Sequence, residues 1–461
     1  MGERYDVVIG GAGIAGCTAA TLYGRLGLRV ALLEQHRDAS TFKRACTHFI
    51  QPSALPTMRR LGLDRRIEGA GGVPSSVDFW TPYGWITAEA MAAGEAESGY
   101  NIRRSVLDPM LREMAAGTPG VDLLLGHNVV DVLRQGARVT GLVANAADGT
   151  RHEVHGRLTV GADGRRSVVA DRSGLPAKTT PHARFGYFAH YRGVRAQTDA
   201  SSQIWLDGVG ANYMFRNDAG RTVLLTMRPQ AELAAFRQDL EGNLLGSFTR
   251  LPKAPIMDDA ERVSDVIGVI NYPGHLRRAA GDGVALVGDA AIVADYLWGV
   301  GCGWAMQSAE WLVDATSAPL LRGRDVRAGA RRYSWTLRRR LGPHYMLITD
   351  YASGRPFNAL ERLLYPAATV DGRVAQVFGR VGGRLSSPAR LLSPPMLSRM
   401  VWARRRAAVP AFGTSLRWAP PEIGAERGMR SGSSSGVRSV QPGARSGHGD
   451  PGQPDDFNPR S

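Results

Sequence analysis

Residues Arg4–Glu34 read RYDVVIGGAGIAGCTAATLYGRLGLRVALLE, and the order of patterns in them decides the fold. YDVVI (5–9) is apolar and β-branched, GAGIAG (11–16) is a glycine turn, the small residues that follow suit a helix, and RVALLE (29–34) is a second strand. Strand, turn, helix, strand within about thirty residues is a βαβ unit. Each glycine has a separate task. Gly11 permits the tight turn, Gly13 lets backbone approach a pyrophosphate, and Gly16 lets the helix pack closely. The helix start offers N–H groups and positive potential to phosphates. Glu34 ends the second strand, where a carboxylate can accept ribose hydroxyls. A dinucleotide site is therefore expected, although this unit alone does not separate FAD from NAD.

Composition narrows the class. The chain has 461 residues, 43% apolar and 21% charged, as in ordinary globular proteins of more than one domain. Its three cysteines, Cys17, Cys46 and Cys302, form no CxxC pair, so neither a disulfide scaffold nor a metal site is expected. No signal-peptide pattern and no run of 18 apolar residues occurs, which predicts a cytoplasmic protein, peripheral to a membrane at most. The net charge of +15 is concentrated: residues 331–406 hold fifteen Arg against Asp350, Glu361 and Asp371. Such a segment suits an acidic carrier protein or a membrane surface, or is simply a solvated face. Nucleic acid is not expected, since no reader motif accompanies the charge.

Farther along, PSALPTMRRL and RSVLDPMLREMAA read as helices, Pro109 being expected in the first turn of the second. Residues 181–275 alternate in short runs such as YFAHYRGV, SQIWL and ANYMFRN, the pattern of an antiparallel sheet. Tyr187, Tyr191, Trp205, Tyr213, Met214 and Phe215 are its candidate pocket residues. ALVGDAA (285–291) returns to α/β character, and 304–406 is mainly helical.

Three further stretches, IRRSVLDPML (102–111), GADGRRS (161–167) and GDAAIVADYLWGVGCG (288–303), together with GAGIAG, resemble the class A FAD-dependent monooxygenases of the p-hydroxybenzoate hydroxylase fold. Flavin-dependent halogenases and geranylgeranyl reductases share that frame. The resemblance runs from residue 1 to about 330. It implies an α/β protein: a Rossmann-like FAD-binding domain from 1–75, 100–180 and 275–330, with an inserted, mainly antiparallel β-sheet substrate domain from 76–99 and 181–274. A basic helical region at 331–410 and a disordered tail at 411–461 complete the expected organisation.

Carried over by position, the resemblance puts Gly11, Gly13, Gly16 and Glu34 on the ADP half of FAD, with Arg44 over the adenosine end. Arg104 would reach the pyrophosphate or ribityl chain, Asp163 and Gly164 would touch FAD or NAD(P)H, and Asp289 would accept a ribityl hydroxyl. Gly299, Gly301 and Cys302 would bring backbone N–H groups to the flavin N1–C2=O edge, where reduced flavin is anionic. His48 and Tyr296 are the candidate catalytic side chains. No metal is implied. Ile292 and Tyr296 depart from the family's usual His and Pro. The implied reaction is NAD(P)H-dependent hydroxylation or epoxidation of an apolar or aromatic small molecule by O₂, through a flavin C4a-hydroperoxide, of the secondary-metabolite type. Reduction of an isoprenoid-like chain and halogenation are its alternatives, the latter without the halogenases' WxWxIP stretch.

Overall fold

The computed structural model describes residues 4–92 and 98–407. The opening unit is β1 (Arg4–Gly10), α1 (Ile14–Gly24) and β2 (Val30–Glu34). Every residue of α1 is buried, which accounts for its small side chains: it lies between packed layers and has no solvent face to present. A hairpin, β3 (Val77–Thr81) and β4 (Gly84–Ile86), precedes α2 (Arg104–Ala116). Then come β5 (Val121–Leu125), β6 (Asn128–Gln135), β7 (Arg138–Asn145) and β8 (Arg151–Gly161). A second run holds β9 (Arg184–Arg192), β10 (Ser202–Leu206), β11 (Ala211–Arg216) and β12 (Thr222–Pro229). The short β13 (Val284–Leu286) follows, then α3 (Gly301–Leu321) and α4 (Arg327–Tyr351). The described chain ends with α5 (Ala359–Val370), α6 (Gly372–Gly382) and α7 (Pro394–Arg404).

The first sheet has the order β5-β2-β1-β8-β7-β6, with β13 beside β8. Strands β5, β2, β1, β8 and β13 run parallel, whereas β7 and β6 form the antiparallel meander. All five residues of β2 are buried, as a parallel strand covered on both faces requires. The second sheet has the order β9-β12-β11-β10-β3-β4, with the short strands Glu261–Arg262 and Ile267–Val269 on the other side of β9, and is antiparallel except between β10 and β3. Residues 77–86 thus join a sheet whose other strands lie about a hundred residues or more later. The architecture is the α/β frame expected, with a Rossmann-like sheet, an antiparallel sheet and C-terminal helices.

Alternation along the second sheet divides its aromatic residues. Phe188, Leu225, Tyr213, Ile204 and Phe79 are register partners across five strands, and they pack with Tyr365, Phe378 and Met400 of α5, α6 and α7. Tyr187, Tyr191, Trp205 and Met214 point the other way, into a separate core with Phe236 and Phe248. Only Tyr213 and Phe215 of the six expected pocket residues therefore lie on the inner face, because successive side chains in a strand point to opposite sides.

Pro109 is the sixth residue of α2 and not in its first turn. The helix begins at Arg104 because His48 accepts the Arg104 N–H. The backbone donor missing at Pro109 falls on the half-buried outer side. In the basic segment, Arg355 pairs with Asp350 and Glu361, while Arg399 and Arg406 converge on Asp371, the N-cap of α6. Trp402, 53% exposed, stacks under Arg406 at 3.8 Å. No helix among the described residues is long and apolar enough to cross a membrane. The chain divides into two units, Met1–Pro420 and Pro421–Ser461. The second unit, and with it the tail expected from 411, lies outside the described residues.

Candidate active site

The glycine turn is built as tightly as its sequence suggests. Gly11 has φ +101°, and a Cβ there would lie 2.5 Å from the Ala162 carbonyl oxygen. A Cβ on Gly16 would lie 1.9 Å from the Gly11 carbonyl oxygen. A Cβ on Gly13, the N-cap of α1, would meet nothing within 4 Å, and no side chain caps that helix. The turn is crowded beneath and open above the helix start. Glu34 is buried; its Oε2 accepts the Ala12 N–H at 3.0 Å, and its Oε1 accepts the His36 N–H at 3.1 Å. Arg112 was not singled out from the sequence. It donates to the carbonyls of Ala12, Ala39 and Thr41, tying the glycine turn to the loop after β2.

Farther along, the chain returns through β13. Asp289 follows, its carboxylate 3.1 Å from Lys43 Nζ and its carbonyl accepting from His275 Nε2 at 2.9 Å. The Asp289 charge raises the Lys43 pKa. Gly299, at φ +60°, leaves room for Phe49: a Cβ there would lie 2.7 Å from that ring. Helix α3 then starts at Gly301 with no side-chain cap and no acid in its first turn. Two uncapped helix starts with open approaches thus occur in one fold, joined by carboxylates at Glu34 and Asp289. Bare N–H groups at a helix start invite an anion. This donor set fits FAD: the start of α1 would hold the pyrophosphate, Glu34 the ribose, Asp289 the ribityl chain and the start of α3 the flavin's N1–C2=O edge.

Between the two ends lies a polar cluster that the sequence showed only in part. His48 has φ +64°, a left-handed conformation rare for a residue with Cβ and found preferentially at functional sites. Its Nδ1 accepts the Arg104 N–H at 3.0 Å, and its Nε2 lies 3.2 Å from His190 Nε2. The first contact makes Nδ1 an acceptor, so Nε2 carries the proton and donates to His190. Beside them the Cys46 thiol is hydrogen-bonded to the Cys302 thiol and accepts the His48 N–H at 3.2 Å. Those bonds, with the Arg104 charge, hold Cys46 well below the usual thiol range. The same partner, with burial, pushes Cys302 up. Cys302, expected to offer its backbone N–H to the flavin, is also half of a thiol pair in the glycine turn.

His190 is nearly buried, and burial first, then the neighbouring His48 ring and the charges of Arg221 and Arg103, push its pKa down to about 3. Below pH 6.5 the unfolded chain takes up this proton while the folded chain does not until about pH 3. Stability present at pH 7 therefore falls through that window, by up to about 1.4 kcal/mol per pH unit from this residue. His190→Asn should remove one proton's worth of that slope. Urea midpoints at pH 7, 5.5 and 4.5 test it, and an unchanged slope would refute it.

The remaining expected site residues are placed as follows. The Arg104 guanidinium grips Asp108 through two hydrogen bonds of 2.6 and 2.9 Å within α2. Arg44 is exposed and pairs at 2.9 Å with the exposed Asp265, between the last two short strands of the second sheet. Asp163 accepts from Ser167 Oγ and the Val169 N–H, anchoring the short helix Val168–Arg172, and Gly164 has φ +81°. The Tyr296 hydroxyl points at the second sheet. It lies 3.3 Å from the Val269 carbonyl oxygen and 2.5 Å from where a Cβ on Gly186 would sit. Behind it, the fully buried Arg184 donates to Asp295 at 2.7 Å, with His182 at 3.6 Å from the same carboxylate.

With this geometry in hand, comparisons with known proteins agree on the frame. The family model described as "FAD binding domain" matches residues 4–239. The chain is 25% identical over 321 residues to digeranylgeranylglycerophospholipid reductase 1 of Methanococcoides burtonii, covering 67% of this chain and 73% of that one. Among solved structures it is similar to the flavin-dependent brominase Bmp2, with a TM-score of 0.69 at 19% identity over 88% of this chain and all of that one. It is also similar to p-nitrophenol 4-monooxygenase PnpA of Pseudomonas putida, with a TM-score of 0.69 at 18% identity over 84% of this chain and all of that one. The structural likenesses speak to the fold. The family match, on a chain whose glycine turn, Glu34, Asp289 and two open helix starts suit the cofactor, shows that this protein belongs to the FAD binding domain family and is an FAD-dependent oxidoreductase.

Proposed function

We propose that the protein is an NAD(P)H-dependent monooxygenase that hydroxylates or epoxidises an apolar or aromatic small molecule. Bound FAD would take electrons from the nicotinamide and supply them to O₂ for insertion of one oxygen into the substrate. The observation that carries this reading is the wall opposite the start of α3. Phe49 packs on Phe215 with ring centres 5.4 Å apart, and Phe79 on Trp298 at 5.7 Å. These rings, with Phe188 and Ile204, form one apolar face beside the Gly299–Gly303 turn. Such a wall excludes water, which oxygen transfer needs if reducing equivalents are not to leak as H₂O₂. The test is turnover of a substrate panel with NADPH under ¹⁸O₂. A product carrying one ¹⁸O supports the reading; a product saturated without oxygen overturns it, and a chloride-dependent product points to halogenation.

A second reading, reduction of an isoprenoid-like chain, is favoured by the Cys46–Cys302 thiol pair and by the reductases among the relatives. Cys302, kept protonated beside the Cys46 sulfur in the flavin turn, is a proton carrier of the kind that reduction of a carbon–carbon double bond requires.

For the partner of the basic segment we propose an anionic lipid surface. Exposed Trp402, Val401 and Leu392 accompany Arg404, Arg405 and Arg406, the mixture of apolar and basic side chains that suits an interface. Reversing those three arginines to Glu should abolish sedimentation with phosphatidylglycerol vesicles and leave NADPH oxidation intact. Retained sedimentation would overturn the lipid assignment.

A further inference from the structure

Just past α6 the chain does something unusual. A helix commonly ends with glycine in the left-handed conformation, and glycines are present at 382 and 383. Yet the residue in that conformation is Arg384, at φ +63°. The strained backbone aims its side chain inward. One guanidinium nitrogen donates to the carbonyls of Val381 and Gly382 at 3.0 and 2.5 Å. The other two, Nε and Nη2, are shut off from solvent and have no hydrogen-bond partner among the described residues. Arg104, Arg184 and Arg228 each meet a carboxylate, and Arg112 spreads its donors over three carbonyls; Arg384 has only two carbonyls, both on one nitrogen. A guanidinium in low dielectric without a counter-ion is costly, and burial lowers the Arg384 pKa to about 9.

The surroundings repeat the pattern. His344 on α4 is buried, its Nδ1 lacks a partner, and burial together with the Arg384 charge pushes its pKa down to about 3. Ser386 Oγ and Gln51 Oε1 are likewise buried and unpartnered. The place is tied to the flavin turn: Gln51 Nε2 donates to the Trp298 carbonyl at 2.6 Å and to the Gly382 carbonyl at 3.2 Å. The Arg384 guanidinium carbon lies 5.9 Å from the centre of the Trp298 ring. The pyrophosphate cradle at Gly11–Gly16 is a separate helix start and does not involve this arginine.

We infer that Arg384, with the Ser386 hydroxyl in the same turn, is a subsite for an anionic group, a carboxylate or phosphate, carried by an otherwise apolar substrate lying along the Trp298 side of the flavin turn. The inference rests on the oxidoreductase reading only in taking the anion's carrier to be the substrate. Its ligand enters the left-handed turn, meets Nε and Nη2 and replaces the missing counter-ion. The apolar remainder faces Trp298 and Phe79.

The test uses oxidised holoenzyme without turnover, titrated with octanoate, octyl phosphate, octanol, inorganic phosphate and sodium chloride. Bound-flavin absorbance and melting temperature are the readouts. Octanoate or octyl phosphate should perturb both, and octanol at equal concentration should not. Arg384→Met should weaken that binding by about thirtyfold or more, in keeping with loss of a desolvated charge pair. It should also raise the melting temperature of ligand-free protein, because an unpaired buried charge has gone. Arg384→Lys should retain part of the affinity, and Arg380→Met, on the exposed face of α6, should change nothing. The inference fails if octanol binds as well as octanoate, or if Arg384→Met binds octanoate like wild type. It also fails if inorganic phosphate or chloride alone matches octyl phosphate, which would mean an adventitious ion only. Since no oxygen or NADPH is involved, failure here leaves the monooxygenase reading standing, and failure of the ¹⁸O₂ experiment leaves this subsite standing.

Discussion

Gly16→Val protein is expected to fold and to purify colourless. A Cβ at position 16 would sit 1.9 Å from the Gly11 carbonyl oxygen and 3.3 Å from the Ala162 methyl group. Neither obstacle is a flexible side-chain tip, so α1 must move off the turn or the turn must open. Either movement displaces the N–H groups at the start of α1 from the phosphates they would face. A shift costing about 4 kcal/mol of the binding free energy weakens FAD binding about a thousandfold. The ratio of flavin to protein absorbance after gel filtration, and reconstitution with FAD followed by fluorescence quenching, measure it. Gly13→Ala is the contrast: its Cβ enters open space, so its protein fold should be undisturbed and any loss should fall on the ligand alone. Full flavin content in Gly16→Val would refute the crowded-turn account.

The second large effect concerns the charges behind Tyr296. Arg184 has no solvent exposure, and its partner Asp295 has only 7%. Removing one member leaves the other charged and buried, which costs about 3–5 kcal/mol. Arg184→Met and Asp295→Asn should each lower stability by that amount in urea unfolding. The double variant should lose much less than the sum, because no uncompensated charge is left behind. Additive losses would mean that the two residues act separately. Gly186 belongs to the same construction, as the Tyr296 ring occupies the space any larger side chain there would need.

How much of this was readable in the sequence follows from how far apart the cooperating residues lie. The glycine turn and Glu34 were legible because their chemistry is local: strand, turn and helix are adjacent in the chain, and each glycine answers a nearby steric demand. The start of α3 was legible for the same reason, its glycines and Asp289 being neighbours. What escaped notice comes from chain return. Lys43 meets Asp289, and Cys46 meets Cys302, across some 250 positions. Neither pair has a spacing that announces it. A weak signal existed for Lys43, one of only three lysines in an arginine-rich chain. None existed for His190, an alternating residue of β9, or for Arg384, whose importance lies in a backbone conformation. The pocket aromatics were misread for a related reason: the strands were recognisable, but which face of each turns inward depends on what the sheet packs against.

The parallel pairing of β10 with β3 also bears on how the chain is made. Ser202 N–H bonds the Ser76 carbonyl across 126 residues, and β13 joins β8 only after the whole second sheet has passed. Closing loops of this length defers the contact and slows folding. A nascent chain that has left the ribosome as far as β8 holds a Rossmann sheet without its last parallel strand and a hairpin without its neighbour. The hairpin edge stays open until Leu206 emerges and the β8 edge until Leu286. The strands of the two sheets therefore alternate along the chain, and no single cut separates it into two complete sheets.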